Sequence, residues 1–205
     1  MNLFSKLFTA PSNSPASTYI IAGLGNPGRD YRENRHNVGF MTIDQVGLEF
    51  GIRLGKMQSR AITGSGLWEG HKIILAKPQT FMNLSGEAVA ALVRFYKIPL
   101  NQLLVIHDDL DLPFGTFRMR PSGGSAGQKG VGSIIERLGT QDFPRLRIGI
   151  GRPGGQMAAS DYVLQDFSNT EKKELAGILE NCLDAVKFFI SNGLEDAMNK
   201  FNGGV

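Results

Sequence analysis

The chain has 205 residues, 41% apolar and 20% charged, with a formal net charge of +3. That length predicts one domain whose core needs no disulfide or metal staple, and the composition excludes low-complexity disorder, collagen and coiled coil. A single cysteine, Cys182, excludes an internal disulfide framework and a multi-thiolate metal centre, pointing to a reducing compartment.

Residues 1–18 are rich in Ser, Pro and Asn, carry one Lys and no acid, and are expected to form a flexible N-terminal extension. Asn2 to Phe8 is at most a short apolar anchor. Thr18-Tyr-Ile-Ile-Ala predicts a buried strand, and Val38 to Phe50 carries helical spacing at Phe40, Ile43, Val46 and Phe50. Lys72-Ile-Ile-Leu-Ala predicts a second strand, stopped by Lys77-Pro78. Ser85 is placed to cap a helix running to about Tyr96. Leu103-Leu-Val-Ile predicts another buried strand, with His107-Asp108-Asp109 at its carboxyl end.

After a Leu-Pro-Phe-Gly turn, Thr116 to Arg120 alternates like a half-exposed strand. The glycine-rich stretch Ser122 to Gly132 reads as a loop opening a helix around Ile134 to Leu138. Arg145 to Ile150 is a strand with its arginines on one face and Leu146, Ile148 and Ile150 on the other. Ser168-Asn-Thr-Glu171 is a capping box before a long amphipathic helix that Gly193 ends. No apolar run approaches 18 residues, so no membrane span is expected.

Interleaved strands and helices predict a single α/β domain over residues 19–205, a twisted mixed β-sheet flanked by helices. The hairpin-length link between the strands near Ile106 and Phe117 is the reason for expecting a mixed sheet. Ligands in such sheets sit beyond the carboxyl ends of strands. The polar and glycine-rich stretches 25–36, 79–83, 107–111 and 122–129 all fall there.

Charge is uneven. Leu112 to Gly155 holds seven basic residues against Glu136 and Asp142, a local excess of five, so the remainder of the +3 chain carries −2. Such a stripe suits a polyanion, and equally an ordinary solvated face. Gly23-Leu-Gly25-Asn-Pro-Gly28 formally matches a dinucleotide fingerprint. No helix opens inside it, however, and ten polar or bulky residues follow Pro27, which argues against an oxidoreductase.

A different constellation carries chemistry. His36, in a polar loop, suits general-base work, with Asp108 the natural orienter and Asp109 and Asp111 as rivals. The plainer reading has His36 bonding its loop and Asp108 closing a turn. No serine lies in a nucleophile elbow, so water activation is the better expectation. Three histidines without matching carboxylate or thiolate spacing argue against a metal. Asn26 and Asn83 offer amides to a peptide or an oxyanion, unless each closes its own turn.

Gly23-Leu-Gly-Asn-Pro-Gly with Tyr31 and Arg35-His-Asn-Val-Gly resembles the opening signature of the bacterial-type peptidyl-tRNA hydrolases. Three further segments resemble the same family in the same order. They are Lys77-Pro-Gln-Thr-Phe-Met-Asn-Leu-Ser-Gly, His107-Asp-Asp-Leu-Asp-Leu-Pro-Phe-Gly and Phe143-Pro-Arg-Leu-Arg-Ile-Gly-Ile-Gly. The likeness spans about Tyr19 to Phe201.

This resemblance implies hydrolysis of the ester joining a peptide to the 3′ end of tRNA, recycling tRNA from stalled or dropped-off translation products. It implies no cofactor or metal, tRNA as partner, and a cytoplasmic monomer without membrane attachment. By resemblance His36 is the general base and Asp108 its orienter. Asn26, Tyr31, Met82 and Asn83 are on the substrate side, and Arg120 and Arg147 contact tRNA phosphates. Where the family often reads Gly-His-Asn-Gly, this chain reads Gly127-Gln128-Lys129-Gly130. Gln128 and Lys129 are therefore expected to stand in on the substrate, by an amide or a cation. That departure, together with the extension, also keeps open a non-hydrolytic RNA-binding protein on the same scaffold.

Overall fold

A computed structural model describes residues 17–203. The expected extension therefore lies outside the described residues, save for Ser17 and Thr18, and Thr18 already opens the first strand. In chain order the elements are β1 (Thr18–Gly23), α1 (Val38–Glu49), β2 (Lys56–Gln58), β3 (Ala61–Trp68), β4 (His71–Pro78), α2 (Ser85–Tyr96) and β5 (Leu103–Asp109). They continue with β6 (Phe117–Arg120), α3 (Lys129–Leu138), β7 (Arg145–Gly149), α4 (Ala159–Val163), α5 (Asn169–Asn192) and α6 (Leu194–Phe201).

The strands form one sheet in the order β2-β3-β4-β1-β5-β7-β6. Its centre, β4-β1-β5-β7, is parallel, and antiparallel pairs close both edges. The central strands are apolar on both faces, as burial under helices on both sides requires. Ile21, Leu75, Leu104 and Ile106 pack with α1 and α5 on one side. Ile20, Ala22, Ile74 and Val105 pack with α2 and α3 on the other.

The sheet is mixed, but not through the hairpin expected between β5 and β6. Those two strands do not pair; β7 lies between them, parallel to β5 and antiparallel to β6. The link folds over the end of β7, where Gly149 N–H donates to Thr116 O at 2.8 Å and Gly151 N–H to Leu112 O at 3.0 Å. The other antiparallel edge comes from β2 and β3, which the sequence pattern did not predict. A two-residue turn, Glu69-Gly70, joins β3 to β4 with both residues at positive φ, the conformation short hairpins favour.

Three local expectations also change. Ser85 does not cap α2; its hydroxyl donates to Met82 O at 2.8 Å, inside the 3-10 turn that precedes the helix. Helix α3 begins at Lys129, earlier than expected, because Gln128 caps it by accepting the Val131 N–H. Helices α4 and α6 were not anticipated. The capping box of Ser168 and Glu171 does start α5, and Gly193 ends it.

Candidate active site

Beyond the carboxyl ends of β1 and β5 the start of α1 comes unusually close to the sheet. A Cβ at Gly23 would stand 2.1 Å from Gly39 O, and one at Gly39 would stand 2.5 Å from Ile106 O. Only glycine at both positions allows this approach. It carries the 3-10 turn Arg35–Asn37 to the end of β5, where His36 Nδ1 lies 2.8 Å from Asp108 Oδ2. The two residues are 9% and 3% exposed. Paired with an ionised carboxylate, which can only accept, a neutral imidazole carries its proton on Nδ1 and leaves Nε2 unprotonated.

Of the three carboxylates open to His36 in sequence, Asp108 is the one that reaches it. Asp109 accepts from Arg147 Nε at 2.6 Å and from the Asp111 N–H at 2.8 Å. Burial pushes the Asp109 carboxyl up, but those two hydrogen bonds and the guanidinium charge outweigh it and hold it below its ordinary value. Asp111 pairs with Arg152 at 2.5 Å. The second oxygen of Asp108 accepts from Gln128 Nε2 at 3.0 Å. Neighbouring His107 faces the other way, with Nδ1 2.7 Å from Asp108 O, Nε2 buried without a partner, and its pKa lowered by burial.

Asn26 does not close its own turn. Its Oδ1 accepts the Met82 N–H at 2.9 Å, across 56 positions of sequence. Asn37 grips the same residue through its backbone, accepting Asn26 N–H and donating to Asn26 O, both at 2.9 Å. With Oδ1 occupied, the Asn26 amide presents its two N–H donors.

Asn26, Tyr31, His36, Met82, Asn83, Asp108, Gln128 and Lys129 all line one pocket of about 640 Å³, with Phe81, Leu110, Val163 and Leu164 as apolar wall. Arg120 and Arg147 lie outside it, in an adjoining pocket of about 470 Å³ that shares Asp109, Ser125 and Ala126 with the first. The basic stripe is less free than its count implies. Arg137, Arg147 and Arg152 are paired with acids, and Arg145 is buried against Gly124 O and Gln141 O. Arg118, Arg120 and Lys129 have no ion-pair partner among the described residues. Also among the described residues, no group of three His, Cys, Asp or Glu could hold a metal, and no helix is long and apolar enough to cross a membrane.

The family model for peptidyl-tRNA hydrolase matches residues 20–205. The chain belongs to the peptidyl-tRNA hydrolase family. Like the family, it is a hydrolase. A peptidyl-tRNA hydrolase of Thermoanaerobacter sp. is 50% identical over 90% of this chain and 100% of its own length. A chloroplastic peptidyl-tRNA hydrolase of Arabidopsis thaliana is 47% identical over 94% of this chain and 69% of its own. The crystal structure of peptidyl-tRNA hydrolase from Acinetobacter baumannii superposes with a TM-score of 0.85 at 36% identity, covering 94% of this chain and 96% of that one. An Arabidopsis 5′-methylthioadenosine nucleosidase matches at a TM-score of 0.52 with 7% identity, a likeness of fold alone.

Two contributors to the site escaped sequence reasoning. Asn37 sits within a motif that was noted, yet nothing local signals its grip on Asn26. Arg35 is 6% exposed and donates to Gln165 O, Asp166 O and Glu171, with its guanidinium 4.3 Å over the Tyr162 ring. It ties the His36 turn to the start of α5.

Proposed function

We propose that the chain cleaves peptidyl-tRNA by histidine general-base catalysis, freeing tRNA from stalled or dropped-off translation products. The observation that carries this reading is the 2.8 Å pair of His36 Nδ1 and Asp108 Oδ2 on the floor of a pocket large enough for the ester and its flanking groups. His36 Nε2 takes a proton from water as the oxygen attacks the ester carbonyl. The tetrahedral oxyanion forms beside the Asn26 N–H donors. Collapse expels the terminal ribose oxygen, which recovers the proton from His36, and the peptide leaves as its carboxylic acid. An ester is already activated, so an oriented water, one base and fixed donors are enough.

Tyr31, Met82 and Asn83 border the peptide side, with the apolar wall accepting side chains of varied size. Unpaired amides would penalise an aminoacyl ester that lacks a peptide group. Lys129 stands exposed at the pocket edge, suited to an anionic or carbonyl group of the substrate. Arg120 and Arg147 in the adjoining pocket suit the tRNA phosphates. Cytoplasmic action as a monomer fits a substrate released from the ribosome.

The test is release of peptide from N-acyl-aminoacyl-tRNA. His36→Ala is expected to lower kcat by about 100-fold or more, and Asp108→Asn by at least tenfold, with folding retained. Full activity in His36→Ala would move the base elsewhere. Tight tRNA binding with no turnover by the unaltered chain would favour the non-hydrolytic alternative.

A further inference from the structure

The resemblance puts Gln128 on the substrate; it lines the pocket, but its side-chain amide already has partners within the protein. Its Oε1 accepts the Val131 N–H at 2.8 Å, capping α3, and its Nε2 donates to Asp108 Oδ1 at 3.0 Å. The first bond fixes the amide's orientation, because an N–H donor demands an oxygen, so the NH₂ end necessarily meets the carboxylate. The residue is only 9% exposed, and Nε2 also touches Met82 Sδ at 3.3 Å. Each end of the amide is engaged within the protein. Asp108 in turn has one oxygen on His36 and the other on Gln128.

We infer that Gln128 is a positioning residue for catalysis: its amide, locked by the α3 cap, fixes the plane of Asp108 and through it the base His36. This rests on the His36–Asp108 reading above. Physically, a neutral donor on Oδ1 stabilises the ionised carboxylate and removes its freedom to rotate about the side chain. A rotated Asp108 would let the imidazole turn, misplacing Nε2 from the attacking water.

Gln128→Glu separates the two jobs of this side chain. The introduced carboxylate still accepts the Val131 N–H, and a negative charge at a helix start is favourable, so the cap survives. The donor to Asp108 is lost and a like charge replaces it. With N-acyl-aminoacyl-tRNA, the expected result at about pH 8 is a tenfold fall in kcat with KM within about twofold. Tm should fall, because the new carboxylate is buried beside that of Asp108. Gln128→Met, which loses both cap and donor, should show the same loss of kcat with a lowered Tm. A capping role alone gives the opposite pattern: Gln128→Glu retains the kcat of the parent while Gln128→Met merely melts earlier. That outcome overturns the inference. Asp108→Asn keeps the two readings apart. If it is severely impaired while Gln128→Glu is unaffected, only the role of Gln128 falls; if Asp108→Asn is itself fully active, the catalytic pair falls too.

Discussion

Arg35 stands next to the proposed base in sequence, yet its side chain leads away from the pocket to Glu171 at 2.8 Å. Burial raises the Glu171 carboxyl, but hydrogen bonds from Ser168 and the Arg35 guanidinium overcome it and hold it below the ordinary 4.5. A carboxylate with a depressed native pKa stabilises the fold above its ordinary pKa, and that contribution disappears as pH falls through the native value. Glu171→Gln should therefore cost about 2 kcal/mol at neutral pH, and its deficit in Tm should close as pH drops below 4.5. A deficit independent of pH would mean that Glu171 acts through packing alone. Individual side chains were unevenly legible in the sequence. His36 and Asp108 stood out because few residue types can serve as a base and its orienter. The orientation of Gln128 was hidden because its partner lies on β5, 20 positions away, and an amide has no intrinsic preference for either end. The same holds for Asn26, whose bond to Met82 crosses 56 positions.

Strands buried on both faces and helices with a clear apolar stripe could be read directly, which is why β1, β4, β5, β7, α1, α2 and α5 were anticipated. Strand β3 was not, because Gly64 and Gly66 interrupt its alternation. A Cβ at Gly64 would lie 2.6 Å from Arg53 O, so the preceding loop, packed over the strand, demands the glycine that erases the pattern. Helix α3 was anticipated only from its middle, since Lys129-Gly-Val-Gly-Ser resembles a loop until Gln128 is seen to cap it. The close approach of α1 to β1 and β5 allows a quantitative expectation. Alanine gains about 1 kcal/mol over glycine in a helix interior, but Gly39→Ala would drive a methyl to 2.5 Å from Ile106 O. The steric cost dominates, so urea unfolding should show a net loss of about 2 kcal/mol or more, with hydrolysis falling alongside as His36 shifts. A variant as stable and active as its parent would mean that α1 can withdraw from the sheet without moving the site.

Across the molecule, the pocket that holds the proposed base is joined to one with arginines, a layout suited to an ester at the end of a long polyanion. Arg120 is exposed and without an ion-pair partner among the described residues, so Arg120→Ala should raise KM with little change in kcat. It should also flatten the fall of affinity with salt by about one phosphate contact. Arg147→Ala should raise KM as well, and additionally destabilise the chain, because it leaves Asp109 buried without its guanidinium. Kinetics in which either variant lost kcat rather than affinity would move these arginines into the chemistry. The tether from Arg35 to Glu171 has a consequence for the order of synthesis. During translation the His36 turn is made first, and the carboxylate that anchors it, in the first turn of α5, follows 136 positions after Arg35. A growing copy of this protein is itself a peptide esterified to tRNA, the very class of molecule its family hydrolyses. A growing copy that stops short of Glu171 therefore carries the His36 turn without its tether.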